Sequence, residues 1–113
     1  MNDRDRLRLL HVLDAAERIS EYLAGVERDS FLSNRMLQDA VIRNLEIIGE
    51  ACTNLSPELR DSHSAVPWLK ASGIRNRLVH GYFDVDLNVV WQTACDALPP
   101  FVAQVRALLP GSG

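Results

Sequence analysis

Hydrophobic positions in the N-terminal half form stripes with helical spacing. Between residues 5 and 26, and again between 33 and 55, apolar residues recur every three or four positions, which predicts two amphipathic helices. The first stripe contains Leu9, Leu13, Ala16, Ile19, Leu23 and Val26, and the second contains Leu37, Val41, Leu45, Ile48, Cys52 and Leu55. The second helix has a further stripe of Met36, Ala40, Ile47 and Ala51. A helix that is apolar on two faces lies inside a bundle or supports a subunit contact, so we expect Ala40, Ile47 and Ala51 near such a contact.

The C-terminal half is divided by turn and capping residues into shorter helices. A helix is expected from 73 to 81, and a last helix follows two consecutive prolines that break or kink the chain. The dividing residues are Ser56-Pro57, Pro67, Gly73, Gly81, Asp84 or Asp86, and Pro99-Pro100. No segment shows sustained alternation of apolar and polar residues. The pattern predicts an all-α, up-and-down bundle of four to five helices over residues 1–109, followed by a flexible tail at 110–113.

Composition narrows the class of protein. A chain of 113 residues corresponds to one domain. Its net charge of −3 argues against a nucleic-acid packaging protein but allows an enzyme that contacts a few phosphates. Two cysteines are too few for a disulfide framework, and no apolar run approaches the roughly 20 residues of a membrane span. We therefore expect a soluble, cytoplasmic protein.

The stretch RNRLVHGY, residues 75–82, concentrates groups suited to proton transfer and anion binding. On a helix, Asn76 and His80 are neighbours, and His80 lies in the last turn, where the helix dipole favours its imidazolium form. Arg75 and His80 are roughly 140° apart around the axis, so their convergence would need a second surface. A capping or solvent-exposed histidine and a surface arginine are equally compatible with the spacing alone.

Other chemistries lack their motifs in this sequence. HExxH, paired CxxC and clustered His/Cys/Asp patterns are absent, which argues against a metal site. GxxxxGK[ST], GxGxxG and GxSxG are absent as well, which argues against a nucleotide-binding loop or a serine hydrolase. His11 and His63 are interpreted as solvated or structural.

Arg75-Asn76-x-x-x-His80-x-Tyr82 resembles the Rx4HxY motif of HepT toxins, ribonucleases of the HEPN superfamily that occur in toxin–antitoxin pairs. The resemblance extends over nearly the whole chain. It includes MLQDAVIRNLEIIGEA at 36–51, SPELR at 56–60, VPW at 66–68, GIRNRLVHGYFDVDLNVVW at 73–91 and LPP at 98–100. A HEPN-like helical bundle is the fold that this resemblance implies.

The resemblance also implies a function, metal-independent endoribonucleolytic cleavage in which the substrate's 2′-hydroxyl attacks the adjacent phosphate. Arg75 and His80 would be catalytic, with Asn76 supporting them, at a composite site in the interface of a homodimer. No cofactor is expected. Tyr82 would be adenylylated by a cognate MntA-like nucleotidyltransferase antitoxin, which would inactivate the toxin.

Further polar residues remain open to either a functional or a structural interpretation. Arg77 and Lys70 are candidates for contacts to the RNA backbone, and Arg43 and Glu46 for polar groups of a dimer face. A plain surface role fits each of these four residues as well. The alternative for the whole protein is a non-catalytic HEPN module that binds the nucleotidyltransferase, a nucleotide or RNA.

Overall fold

The computed structural model describes residues 1–74, 76, 79–80 and 84–109, with only the backbone described at 79, 80 and 84. Arg75, Arg77, Tyr82 and the predicted tail at 110–113 lie outside the described residues. The helices are α1 (Asp3–Leu23), α2 (Arg28–Leu32), α3 (Arg35–Thr53), α4 (Pro57–Ser62), α5 (Trp68–Ser72), α6 (Leu87–Gln92) and α7 (Leu98–Leu108). Two short strands, β1 (Val79–His80) and β2 (Asp84–Val85), lie between α5 and α6, and a π-helical turn, Thr93–Ala97, joins α6 to α7.

The two long helices form the centre of the bundle, as their apolar stripes predict. α1 begins at the cap residue Asn2, whose side chain accepts a hydrogen bond from the Asp5 N–H at 2.7 Å. It ends just before Gly25, whose φ of 72° falls in the left-handed region that glycine adopts readily. α3 is capped by Asn34, which accepts from the Leu37 N–H at 3.1 Å. Because the buried faces of α1 and α3 pack together, most of the predicted stripe residues lie in the core.

The second stripe of α3 divides between the interior and the surface. Met36 is 85% exposed, and Ala40 and Ile47 are half-buried, so these three remain available at the outer face. Ala51 is buried within its own chain, so it presents little surface at this outer face. The shorter helices α5 and α7 cover the core beyond α3, where the rings of Trp68 and Phe101 meet edge to face.

The helical backbone continues through the two prolines instead of breaking there. Gln92, Ala97 and Leu98 all have right-handed helical angles, and the Leu98 N–H donates to the Thr93 carbonyl five residues earlier. Pro99 and Pro100 then occupy the first turn of α7, the part of a helix that tolerates proline best. Of the expected break or kink, the break is absent, and one widened turn precedes the prolines.

The helix predicted to run from 73 to 81 is shorter than expected. Val79 and His80 are extended and pair antiparallel with β2, Val79 opposite Val85 and His80 opposite Asp84. His80 therefore does not occupy a last helical turn, and the helix-dipole argument for its charge does not apply. The all-α fold class is confirmed, because each strand has only two residues and helices make up most of the described chain.

Candidate active site

The motif segment follows α5 and precedes α6 along the chain, and described residues before and after it make defined contacts. Ile74 is buried, Asn76 is exposed, and the Asn76 N–H donates to the Gly73 carbonyl at 3.1 Å. The structure thus places Asn76 on the surface immediately after a buried residue. Of the predicted catalytic pair, Arg75 lies outside the described residues, and His80 is described by its backbone alone.

Gly49 of α3 sets the position of the segment's first end. A Cβ on Gly49 would lie 2.9 Å from Cγ2 of Ile74 and 3.3 Å from the carbonyl oxygen of Ala71. Only a residue without a side chain lets α5 and Ile74 approach α3 this closely. Ile74 directly precedes Arg75 in the chain, so the contact between Gly49 and Ile74 fixes the residue just before the motif.

The second end is held by the start of α6. The Asp86 side chain caps this helix by accepting hydrogen bonds from the N–H groups of Asn88, at 3.0 Å, and Val89, at 3.2 Å. Helix α2 supports the same turn, since the Arg28 guanidinium donates to the Asn88 side-chain oxygen. Phe31 of α2 also contacts Trp91 of α6 with ring centroids 5.3 Å apart. The hairpin of β1 and β2 is therefore followed directly by a fixed helix start.

A cleft of about 580 Å³ lies beside the first anchor, between α1, α3 and the end of α5. We call it the α1–α3 cleft. Gly49 and Ser72 line it next to the motif segment, and its titratable lining residues are Arg8, His11, Arg43, Glu46 and Glu50. Sequence reasoning singled out Arg43 and Glu46 but not Arg8, His11 or Glu50 as possible site residues. Helical spacing indicated which residues share a face, whereas only the packing of α1 against α3 shows that these faces enclose a cleft.

Lys70, proposed as a contact to RNA, does not line this cleft. It is exposed on α5 and borders a separate, mainly apolar cavity of about 80 Å³ that also involves Ile48 and Phe101. Lys70 and Arg43 therefore border two different cavities. Arg77 lies outside the described residues.

The cysteines do not supply an activated nucleophile. Burial raises the pKa of Cys52 to about 12, so its thiol remains protonated at neutral pH. Partial desolvation, and secondly the neighbouring Asp96 carboxylate, raise the pKa of the exposed Cys95. Across the described residues, no group of three His, Cys, Asp or Glu side chains could hold a metal ion. Nor does any helix in the described ranges have the length and apolar character needed to cross a membrane.

The fold and the sequence motif together define a class of protein, a helical bundle of the HEPN type whose sequence carries Arg-x4-His-x-Tyr. Residues 12–108 match the family described as "Ribonuclease HepT-like". The chain belongs to this family of HepT-like ribonucleases.

Its relatives come from bacteria and archaea. "Putative RNase TTE0752" of Caldanaerobacter subterraneus subsp. tengcongensis is 39% identical over 89% of this chain and 90% of that protein. "Probable ribonuclease HepT" of Thermococcus cleftensis is 38% identical over 86% of this chain and 88% of that protein. "Putative RNase MJ1380" of Methanocaldococcus jannaschii is 34% identical over 94% of this chain and 98% of that protein. No solved structure gives a significant match.

Proposed function

We propose that this protein is the toxin of a toxin–antitoxin pair, a metal-independent endoribonuclease that acts as a homodimer in the cytoplasm. The observation that carries the proposal is that a chain belonging to the HepT-like family retains Arg75, Asn76, His80 and Tyr82 at the spacing of the family motif. The anchoring of the segment by Gly49 at one end and α6 at the other supports it, because catalytic groups need a fixed frame.

The residue types suit cleavage of RNA by its own 2′-hydroxyl. A base removes the proton of this hydroxyl, and its oxygen attacks the adjacent phosphorus. The bond to the 5′-oxygen breaks, an acid donates a proton to that oxygen, and the products are a 2′,3′-cyclic phosphate and a 5′-hydroxyl. An imidazole with an intrinsic pKa of about 6.5 serves as base or acid at neutral pH. Arg75 stabilises the extra negative charge on the phosphate oxygens, and Asn76 orients His80 or hydrogen-bonds the phosphate.

The homodimer is proposed because each chain has only one motif histidine. Cleavage is fastest when an acid and a base act together, and two copies supply one histidine each. Two motif segments facing each other would form a composite site in which Arg75 of one copy acts with His80 of the other. Arg77 and Lys70 remain candidates for contacts to the RNA backbone.

Regulation is assigned to Tyr82. In the proposed step, the phenol oxygen attacks the α-phosphorus of ATP on the antitoxin nucleotidyltransferase, pyrophosphate leaves, and the phenol proton passes to a base. The adenylate on Tyr82 then blocks the site by its bulk and repels the RNA phosphates by its negative charge.

The test of catalysis uses Arg75→Ala and His80→Ala. We expect each to lower RNA cleavage on the order of 10²–10³-fold or more, because removing one charge-stabilising donor has about this effect. Wild-type cleavage should persist in EDTA. The control is His63→Ala, which changes a half-buried histidine outside the motif and should leave cleavage unchanged. Full activity of both motif variants at normal helical content would refute the assignment, and binding of RNA without any wild-type cleavage would favour the non-catalytic alternative.

The test of regulation uses Tyr82→Phe, which removes only the acceptor oxygen. Incubation with the cognate nucleotidyltransferase and ATP should add the mass of AMP to wild type and to Tyr22→Phe, but not to Tyr82→Phe. Tyr22 is 39% exposed and is the other tyrosine of the chain, so it is the matched control. Loss of the added mass in the Tyr22 variant instead would move the acceptor to α1.

A further inference from the structure

The α1–α3 cleft lies between two helices whose relative register is fixed by hydrogen bonds. At the start of α1, Asp5 accepts from the Ser56 N–H, just beyond α3, at 2.9 Å. Further along, the Arg18 guanidinium of α1 donates to the Asn44 side-chain oxygen of α3 at 3.3 Å. The two helices are therefore antiparallel, and each step forward along α1 corresponds to one step back along α3.

Two arginines lie at the two ends of the cleft in this register. Arg8 of α1 is level with Asn54, and Arg43 precedes Asn54 by eleven residues on α3. At 1.5 Å per residue, the two arginines are about 16 Å apart along the helix axes. Glu46 and Glu50 line the stretch between them. The charges therefore change sign along the cleft, with a cation at each end and carboxylates in the middle.

Glu46 is the cleft carboxylate nearest to the start of the motif. It precedes Gly49 by three residues and so lies about 60° around the helix from it, whereas Glu50 lies about 100° away. Gly49 is the residue that packs against Ile74, directly before the motif. Glu46 is also half-buried, whereas Glu50 is exposed.

The charged side chains of the cleft lack partners, unlike charges elsewhere on the same helices. On α1, Arg18 pairs with Asp14 at 2.5 Å. None of Arg8, Arg43 and Glu46 forms an ion pair or a side-chain hydrogen bond with any residue in the described part of the chain. A half-buried carboxylate has lost part of its water without gaining a donor, so it favours a ligand that supplies N–H groups.

Single-stranded RNA carries both kinds of group that this cleft lacks. Its phosphates suit arginine, and its unpaired bases present N–H donors on their Watson–Crick edges. Guanine has two adjacent donors, N1–H and the N2 amino group, which one carboxylate accepts together. In adenine and cytosine the amino group lies beside a ring nitrogen acceptor, and in uracil one N–H lies between two carbonyls. A carboxylate in the middle of the cleft therefore favours guanine.

We propose that the α1–α3 cleft binds a guanine of single-stranded RNA close to the cleavage site. Glu46 selects the base, and Arg43 and Arg8 contact phosphates on either side of it. The inference rests on the proposed ribonuclease function and adds a base specificity to it. Cleavage then falls at a constant distance from a guanine, because Glu46 lies on the side of α3 that packs against the residue before the motif.

The test compares uridine oligonucleotides that each contain one guanosine with the same oligonucleotides containing inosine instead. Inosine lacks only the N2 amino group, so it loses one of the two hydrogen bonds to Glu46. We expect the wild-type kcat/KM to be lower for inosine on the order of tenfold. Glu46→Gln should lower kcat/KM for the guanosine substrate and abolish the preference, because an amide offers one acceptor oxygen. A loss of stability would affect both substrates equally and leave their ratio unchanged.

The arginines and two controls are measured with the same substrates. Arg43→Ala and Arg8→Ala should raise KM, keep the preference for guanosine and reduce the dependence of log KM on log salt by roughly one. Arg35→Ala removes an arginine of α3 that pairs with Asp39 outside the cleft, and it should leave KM unchanged. Glu21→Gln changes an exposed glutamate of α1 outside the cleft and should leave the preference unchanged.

The outcomes separate this inference from the proposed function. Cleavage without a preference for guanosine, or a wild-type preference in Glu46→Gln, would overturn the base specificity and leave the ribonuclease standing. If the wild-type protein binds RNA without cleaving it, the same ratio is measured from dissociation constants by fluorescence anisotropy. Unchanged RNA parameters in Glu46→Gln and Arg43→Ala, with weaker binding of the nucleotidyltransferase, would assign the cleft to that protein instead.

Discussion

Gly49→Ala tests whether the close contact of α3 with Ile74 positions the motif segment. In a helix interior, alanine is ordinarily more favourable than glycine by about 0.5–1 kcal/mol. Here the new methyl group would lie 2.9 Å from Cγ2 of Ile74, inside van der Waals contact, and 3.3 Å from the Ala71 carbonyl oxygen. Overpacking of this kind costs about 1–3 kcal/mol, so we expect a net loss of about 1 kcal/mol.

The stability change can be measured by urea unfolding followed through circular dichroism. For a domain of this size, about 1 kcal/mol corresponds to a decrease in Tm of roughly 4 °C. The rate of RNA cleavage should fall by more than the loss of about 1 kcal/mol in stability would explain. Ile74 precedes Arg75, and a displacement of about 1 Å at a catalytic group lowers the rate on the order of 10²-fold. A fully folded variant with wild-type cleavage would show that the contact does not position the motif.

The control for this prediction is the same substitution in an Ile74→Ala background. Removing Cγ2 of Ile74 removes the closest clash, although the contact with the Ala71 carbonyl remains. Gly49→Ala should then be neutral or stabilising, which gives a coupling free energy of about 1 kcal/mol or more between the two sites. An equal loss of stability in both backgrounds would mean that the destabilisation does not arise from Ile74.

Three further predictions concern stability and thiol chemistry. Asp5→Ala should lower the free energy of unfolding by about 1–3 kcal/mol, since this buried carboxylate accepts hydrogen bonds from the N–H and hydroxyl of Ser56. In a double-mutant cycle, its effect should be non-additive with that of Ser56→Ala. Asn34→Ala should cost about 1 kcal/mol by removing the cap of α3, whereas Asn34→Asp should retain most of the stability in the same urea titration. At pH 8, a thiol reagent should modify only Cys95 in the native protein and both cysteines after unfolding, because burial raises the pKa of Cys52 to about 12. Rapid reaction of two thiols in the native state would contradict this prediction.

The main architecture followed from local patterns in the sequence. The stripe through Val41, Leu45 and Ile48 is buried as predicted, because helical periodicity depends only on neighbouring residues along the chain. Ser56 caps α4 as its sequence context indicates, with the Leu59 N–H donating to its side-chain oxygen at 3.2 Å. The motif was found in the same way, from residue types and their spacing.

At two places the backbone takes an arrangement that residue spacing did not specify. The segment after Gly73 has too few residues for a clear period, and the pairing of Val79 with Val85 replaced the last helical turns. Pro99-Pro100 predicted a break or a kink, and the structure has a widened turn before them that satisfies the Leu98 N–H while the backbone stays helical. Both outcomes depend on particular backbone hydrogen bonds, and the spacing of residue types does not predict which groups form them.

The surroundings of the motif came from tertiary packing. The sequence shows that α1 and α3 each carry charged residues beside an apolar stripe, but not which of these charges face one another. Packing brings Arg8 of α1 and Glu50 of α3 to the same cleft, 42 positions apart in the chain, without joining them in an ion pair. It also brings Gly49 so close to Ile74 that a Cβ on Gly49 would lie 2.9 Å from Cγ2 of Ile74. A long-range contact of this kind depends on the angle and separation of whole helices, which many residues set together, and no single stretch of the chain encodes it.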